Sequence, residues 1–128
     1  MKKTAVTPVK CAPTGGFYSH GIRVGDLLFC AGQVPVVPET KLLIEGDIRV
    51  QTERVLENIK LILGDQNLGF GNIVKATVFL KDMADFAAMN ETYGKYFPTD
   101  VPLPARTTVQ VAALPRGAAI EIEVIAHY

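Results

Sequence analysis

The stretch DIRVQTERVLENIKLILGDQN, residues 47–67, carries the clearest pattern in the chain and decides its fold. Six residues recur at three- and four-residue spacing and predict one apolar face of a helix: Thr52, Val55, Leu56, Ile59, Ile62 and Leu63. Asp47 can cap this helix at its start. Asn67 tolerates the left-handed conformation that ends a helix, so we expect the helix to end at about Gln66.

Strand patterns lie on both sides of this helix. Residues 73–80, IVKATVFL, are nearly all apolar, which is typical of a buried strand. Before the helix, residues 17–24 and 27–34 are rich in β-formers and are separated by Gly25-Asp26, which predicts a hairpin. Pro35 and Pro38 then begin a loop.

The second half of the chain predicts one more helix and two more strands. The acidic segment at residues 82–85 resembles a helix start, and the apolar side of that helix would carry Phe86, Met89, Tyr93, Tyr96 and Phe97. Three prolines interrupt the chain before strands at residues 105–112 and 119–127.

The resulting order ββαβαββ predicts an α+β fold, with one mixed sheet covered on one face by two helices. With 128 residues, 48% of them hydrophobic, residues 1–128 can form a single domain with its own core. Prolines and glycines predict an irregular N-terminal arm over about residues 1–15. The uncovered sheet face is not cleanly polar, so we expect a closed homo-oligomer with clefts where copies meet.

Composition excludes several classes of function. The chain has 13 basic and 13 acidic side chains, so it lacks the cationic surplus that binds nucleic acid or an anionic membrane. No apolar run approaches the ~20 residues of a membrane span. Cys11 and Cys30 are the only cysteines, which indicates a reducing compartment, and we expect a cytoplasmic protein.

Most catalytic motifs are missing. The chain has two histidines and no paired cysteines at metal spacing, so we expect no metal site. Cys30 lies in an apolar run and is best interpreted as a small core residue. His20 could act as an acid or base, although a hydrogen-bonded structural histidine fits its position better. Glu121 and Glu123 alternate with isoleucines and therefore point to one side of the sheet.

Arg106 is the strongest single candidate for chemistry. It begins a predicted strand after Pro104-Ala105 and shares a face with Thr108 and Gln110. A guanidinium on a rigid strand can bind a carboxylate through two parallel hydrogen bonds. A structural salt bridge to Glu121 or Glu123 explains the same residue equally well.

Eight short segments, in this order, resemble the reactive intermediate deaminase family, the RidA/YjgF group. They are GFYS at 16–19, AGQVP at 31–35, QT at 51–52 with LEN at 56–58, VKATVFL at 74–80, DF at 85–86, NETY at 90–93, PAR at 104–106 and IEIEVIA at 120–126. Each segment is weak alone, but the ordered set is specific and spans nearly the whole chain from about residue 12.

The resemblance implies a chorismate-mutase-like fold assembled as a homotrimer, with sites in clefts between subunits. It also implies hydrolytic deamination of enamines and imines to 2-keto acids and ammonia, that is, a 2-iminobutanoate/2-iminopropanoate deaminase. The substrates would be 2-aminoacrylate, 2-iminopropanoate and 2-iminobutanoate. No cofactor is expected, and the partners would be small imino or keto acids and further copies of the chain.

The resemblance also assigns roles to residues. Arg106 would hold the substrate carboxylate, Glu121 would orient or activate water, and Tyr18 would position the substrate. These three form the expected catalytic set. The expected substrate-binding residues are Arg106, Tyr18, Ala31, Gly32, Asn90 and Thr108.

Three departures from the family pattern put the substrate range in doubt. Phe17 stands where a proline commonly precedes the tyrosine, and Ala31 replaces the usual hydroxyl residue before Gly-Gln. Thr107-Thr108 replaces a common Ser-Cys pair. The backbone carbonyl of Thr108 can still accept a hydrogen bond, so the expected chemistry does not require the cysteine.

Two other functions remain as alternatives. One is a non-catalytic trimer that binds small metabolites in a regulatory or chaperone-like role, which would need Arg106 but not Glu121. The other is a nucleic-acid enzyme or translation inhibitor, a role reported for some relatives. The zero net charge and the lack of a basic run argue against the second.

Overall fold

Six strands and two α-helices make up the regular structure in the computed structural model, which describes residues 1–128. In chain order they are β1 (Lys3–Val6), β2 (Gly21–Val24), β3 (Leu27–Gln33), α1 (Ile48–Asp65), β4 (Ile73–Leu80), α2 (Phe86–Gly94), β5 (Ala105–Gln110) and β6 (Ile120–His127). Short 3-10 turns at Phe70–Asn72, Met83–Asp85 and Pro115–Gly117 precede β4, α2 and β6. The predicted α+β class is confirmed.

The strands form one mixed sheet in the order β1-β2-β3-β6-β4-β5. Every neighbouring pair is antiparallel except β4 and β5, which are parallel because α2 carries the chain back across the sheet between them. Strand β5, which carries Arg106, therefore lies at one edge of the sheet, and β1 lies at the other.

The two helices cover one face of this sheet, as the apolar pattern predicts. The Asp47 side chain accepts a hydrogen bond of 3.1 Å from the Val50 N–H and caps α1 at the predicted residue. Asn67 adopts the predicted left-handed conformation just after the helix, with φ of 57°. The core between the layers includes Val55, Leu56, Ile59, Ile62 and Leu63 of α1 and Ala76, Val78 and Leu80 of β4. Neither helix is long and apolar enough to cross a membrane.

The N-terminal arm contains a strand that the sequence interpretation missed. Lys3 pairs with Val24 and Val6 with Gly21, so the observed order is βββαβαββ and residues 3–6 are not irregular. Only Val6 of β1 is buried. Because β1 is held mainly by backbone pairing to the open edge of β2, its side chains carry little of the pattern from which a strand is predicted.

The first predicted hairpin strand is shorter than expected. Strand β2 begins at Gly21 rather than at residue 17. The segment before it folds against the arm instead: the Tyr18 hydroxyl donates to the Thr14 carbonyl at 2.6 Å, and His20 Nε2 lies 2.7 Å from the Ala12 carbonyl oxygen. These contacts place Tyr18 beside the arm and away from the sheet ladder.

The sheet face opposite the helices carries exposed apolar side chains. Leu27 and Phe29 of β3 point to this face and are 40% and 42% exposed, and Val109 of β5 is 39% exposed. Glu121 and Glu123 of β6 lie on the same face, since they pair with Phe79 and Thr77. The uncovered sheet face is therefore partly apolar, which is typical of a surface that contacts another protein chain.

Candidate functional site

Arg106 lies on the helix-covered side of the sheet, at its β5 edge. Its register partner is Ala76, which is fully buried beneath the helices. Its Nη1 donates a 2.7 Å hydrogen bond to Asn90 Oδ1 on α2. The guanidinium carbon lies 4.8 Å from the ring centre of Tyr93 and 5.6 Å from that of Phe86. Two rings and an amide therefore hold the cation in a fixed position.

This cation has no carboxylate partner in the chain. The only ion pair joins Arg49 to Glu91, at 2.7 Å. Because Glu121 and Glu123 lie on the opposite face of the sheet, the salt bridge that the sequence left open is excluded for Arg106. A guanidinium has five N–H donors, so most of them remain free for a ligand.

A cavity of about 470 Å³ opens beside the guanidinium. Its lining includes Asn90, Tyr93, Phe97, Leu103 and Arg106. It combines an apolar wall with one strongly polar end, which is the usual make-up of a site for a small ligand. The arrangement is suited to a small carboxylic acid whose carboxylate meets Arg106.

Thr108 lies two residues beyond Arg106 on the same strand face. Its Oγ1 is buried and has no hydrogen-bond partner. An unsatisfied buried hydroxyl costs about 1–3 kcal/mol, and Thr108 is not among the residues that line the cavity beside Arg106.

Glu121 forms the centre of a second group of residues. Its carboxylate lies directly against Gly32, and a β-carbon on residue 32 would overlap Glu121 Oε2. A side chain on residue 32 would therefore force the Glu121 carboxylate to move, whereas glycine lets it lie against the β3 backbone. Burial raises the pKa of Glu121, and the neighbouring Glu123 carboxylate raises it further. A carboxyl whose pKa is raised is a better proton acceptor than an ordinary glutamate, which suits it to proton transfer.

Gly32 also lines the larger cavity of the protein, about 640 Å³, together with Tyr18 and the arm. The Tyr18 hydroxyl proton is engaged by the Thr14 carbonyl, but its oxygen can still accept a hydrogen bond. Ala31 is held by its backbone, since its N–H donates to the His20 carbonyl at 2.8 Å. Tyr18, Ala31, Gly32 and Glu121 thus form one neighbourhood.

Within one chain, the expected site residues therefore lie in two separate groups. Arg106, Asn90 and Thr108 lie around α2 and the β5 edge, whereas Glu121 and its neighbours surround Gly32. The arginine and the glutamate point to opposite faces of the sheet. A ligand that touched both would need residues from two copies of the chain.

Two residues beside the arginine were not predicted as site residues. Phe86 and Tyr93 were assigned only to the apolar face of the second helix, yet their rings flank the Arg106 guanidinium. The signal was available in their spacing, because Phe86, Asn90 and Tyr93 fall on one face of a helix.

The cysteines and His20 have the structural character expected of them. Burial raises the pKa of Cys30 to about 12, which leaves no useful thiolate at neutral pH. Burial also raises the pKa of Cys11, and both thiols are free. His20 is buried and bonded to the arm, in agreement with a structural histidine.

Replacing Glu121 with Gln should raise the melting temperature near pH 7.5. The pKa of Glu121 is raised in the folded state, so its contribution to stability is present at low pH and is lost as pH rises through that pKa. The increase in melting temperature of Glu121→Gln over wild type should therefore be smaller near pH 4.5 than near pH 7.5. Differential scanning fluorimetry at both pH values checks this, with Glu45→Gln, at an exposed glutamate in the loop before α1, as the matched control. An equal gain at both pH values would contradict the assignment.

A sequence model of the family described as Endoribonuclease L-PSP matches residues 9–128. The chloroplastic Reactive Intermediate Deaminase A of Arabidopsis thaliana is 44% identical over 126 residues, covering 98% of this chain and 66% of that protein.

Solved structures match over almost the full length. The crystal structure of RidA from an Antarctic Psychrobacter superimposes with a TM-score of 0.91 at 38% identity, covering 98% of this chain and 99% of that one. That of Escherichia coli TdcF with bound serine gives a TM-score of 0.91 at 36% identity, covering 98% of each chain.

Proposed function

The chain belongs to the RidA/YjgF family, and from this premise we propose that it hydrolyses small 2-imino acids and their enamine forms to 2-keto acids and ammonia. The substrates are 2-aminoacrylate, 2-iminopropanoate and 2-iminobutanoate. The observation that carries the proposal is the unpaired Arg106 guanidinium, held by Asn90 and Tyr93 beside a cavity. A named deaminase at 44% identity supports the reaction, and a relative with bound serine supports a ligand of amino-acid size.

The proposed site is completed between copies of the chain, arranged as a homotrimer. Arg106 lies at the open β5 edge, and Glu121 lies on the sheet face that carries exposed Phe29 and Leu27. A second copy packed on that face would cover the apolar side chains and bring its own arginine group to the first copy's glutamate. The free thiols of Cys11 and Cys30 fit a cytoplasmic protein.

The reaction needs a positioned water and one proton relay. Arg106 holds the substrate carboxylate through paired N–H donors and fixes the imine carbon. Glu121 takes a proton from water as the water oxygen bonds to that carbon, and gives the proton to the imine nitrogen, which forms a carbinolamine. The carbinolamine hydroxyl then loses its proton to Glu121 as the carbonyl forms, and Glu121 passes this second proton to the nitrogen as the carbon–nitrogen bond breaks. The products are the 2-keto acid and ammonia. An enamine first gains a proton at its terminal carbon and loses one from its nitrogen to become the imine.

Tyr18, Gly32 and Thr108 support this reaction without taking part in bond changes. Gly32 lets the Glu121 carboxylate lie against the backbone, and Tyr18 forms a wall of the adjoining cavity. At Thr108 the backbone carbonyl, rather than the buried hydroxyl, is the group we propose to accept a hydrogen bond from the substrate.

A non-catalytic role as a small-metabolite-binding trimer uses the same arginine. It makes no use of Glu121, whose pKa is shifted toward the range useful for proton transfer. An endoribonuclease, the activity in the description of the matching family model, is disfavoured by a net charge of zero.

The test is the rate at which a freshly generated imine disappears. A serine dehydratase produces 2-aminoacrylate in situ, and stopped-flow absorbance follows its loss while pyruvate is measured. We expect the wild-type protein to accelerate the loss at least about tenfold over water, and Glu45→Gln, at an exposed glutamate that lines neither cavity, to match it. Binding of 2-oxobutanoate without faster loss would establish the binding module instead. Cleavage of a single-stranded RNA by the same preparation, without imine hydrolysis, would establish the nuclease.

A further inference from the structure

Two cations line the large cavity beside Gly32 and have no role in the proposed reaction. Lys41 comes from the turn after β3, and Arg116 comes from the 3-10 turn before β6. Both are exposed, and neither belongs to an ion pair. No aspartate or glutamate is among the residues that line the cavity, although Glu121 lies against its Gly32 wall. The cavity therefore carries an uncompensated positive charge in a protein of zero net charge.

Both cations lie at unusual backbone positions. Only three non-glycine residues have positive φ: Lys41 at 62°, Asn67 at 57° and Arg116 at 62°. Asn67 ends a helix, where asparagine is well suited. Lysine and arginine have no such advantage in the left-handed region, and residues held there cluster at ligand sites. Two of the three non-glycine residues with positive φ, Lys41 and Arg116, thus line the same cavity, and both are cationic.

Hydrogen-bonded turns hold these two positions. The Lys41 N–H donates to the Val37 carbonyl at 2.8 Å, and the Val37 N–H donates to the Leu42 carbonyl at 2.8 Å. In the turn that carries Arg116, Pro115 restricts the backbone just before the arginine. The Ala118 N–H donates to the Pro115 carbonyl at 3.2 Å. The two cations are therefore carried by ordered backbone rather than by open loops.

The cavity is also larger than the simplest substrates need. Its volume of about 640 Å³ falls in the range of roughly 300–1,000 Å³ typical of sites for drug-sized ligands. A three- or four-carbon imino acid is smaller than this space, which leaves room for a longer substrate.

From the cavity, its charge and its strained cations we propose that the preferred ligand carries a second carboxylate, bound by Lys41 and Arg116. The preferred substrates are then the imino forms of acidic 2-keto acids. This inference rests on the proposed function for the first carboxylate, which Arg106 of a neighbouring copy holds.

Isothermal titration with stable keto acids tests the second site. 2-Oxobutanoate has one carboxylate, whereas 2-oxoglutarate and 2-oxoadipate have two. We expect wild-type protein to bind at least one of the two diacids about tenfold more tightly than 2-oxobutanoate, because a second charge-assisted contact is made. In Lys41→Gly/Arg116→Gly the preference for the diacid over 2-oxobutanoate should fall to within about twofold. Glycine tolerates both left-handed positions, so the turns are kept.

The control is Lys60→Ala, which removes an exposed lysine of α1 that does not line the cavity and should preserve the preference. Equal affinity of wild-type protein for all three acids, or a preference that survives in the double glycine variant, would overturn the inference. Displacement of the diacid by an equal concentration of inorganic phosphate would also overturn it, since a free anion would then be the ligand. Failure of the proposed function gives a different result: 2-oxobutanoate binding would not depend on Arg106.

Discussion

Replacing Arg106 with Ala should lower kcat/KM for imine hydrolysis by at least about 100-fold. Two hydrogen bonds from a charged group are each worth about 1.5–3 kcal/mol, and every 1.4 kcal/mol is a factor of ten. The melting temperature should fall only modestly, because the substitution removes the Asn90 hydrogen bond and the ring contacts but breaks no ion pair. Stopped-flow rates and scanning fluorimetry on the same preparations measure both quantities.

Two arginine variants make this result specific. Arg106→Lys keeps the charge but loses the paired donors, so it should recover only part of the activity. Arg23→Ala is the matched control, because Arg23 also stacks on an aromatic ring, that of Tyr128 at 3.7 Å, but lies in the hairpin strand β2. Comparable losses in Arg23→Ala and Arg106→Ala would show that the effect is structural and would remove Arg106 from the site.

The sequence predicts the core of the fold because that part is encoded in side-chain periodicity. The start of α1 at Asp47, its end near Asn67 and the bounds of β4 all agree with the structure. Strand β1 could not be predicted in the same way, since it is held by backbone pairing to β2 and buries only Val6. The start of β2 at Gly21, later than the sequence predicts, depends on contacts of Tyr18 and His20 with the arm.

The site was predicted less completely than the fold. Arg106 could be selected because of its place at the start of a strand, but the strand ARTTVQ does not show which of its faces is covered. That choice is made by the packing of α2, which brings Asn90 and Tyr93 to the guanidinium. Because α2 packs on the face of β5 that carries Arg106, the arginine lies on the opposite face of the sheet from Glu121. The left-handed backbone at Lys41 and Arg116 has no sequence signal, since neither residue type favours it.

The second large effect concerns the division of the site between copies. Arg106→Ala and Glu121→Gln should each be nearly inactive alone, yet a mixture that is unfolded and refolded together should recover activity. In a trimer with cyclic symmetry, every mixed assembly contains one cleft with an intact arginine facing an intact glutamate. Random assembly of equal amounts therefore restores about a quarter of wild-type activity. Multi-angle light scattering on the same samples should show trimers throughout.

The decisive control uses a chain that carries both substitutions. Refolded with either single variant, it can never supply the missing partner, so those mixtures should stay inactive. The most direct test of a site shared between copies is thus the imine hydrolysis rate of the refolded 1:1 mixture of Arg106→Ala and Glu121→Gln. We predict recovery to about a quarter of the wild-type rate. A rate no higher than that of the separate variants, in a mixture shown to contain mixed trimers, would contradict it.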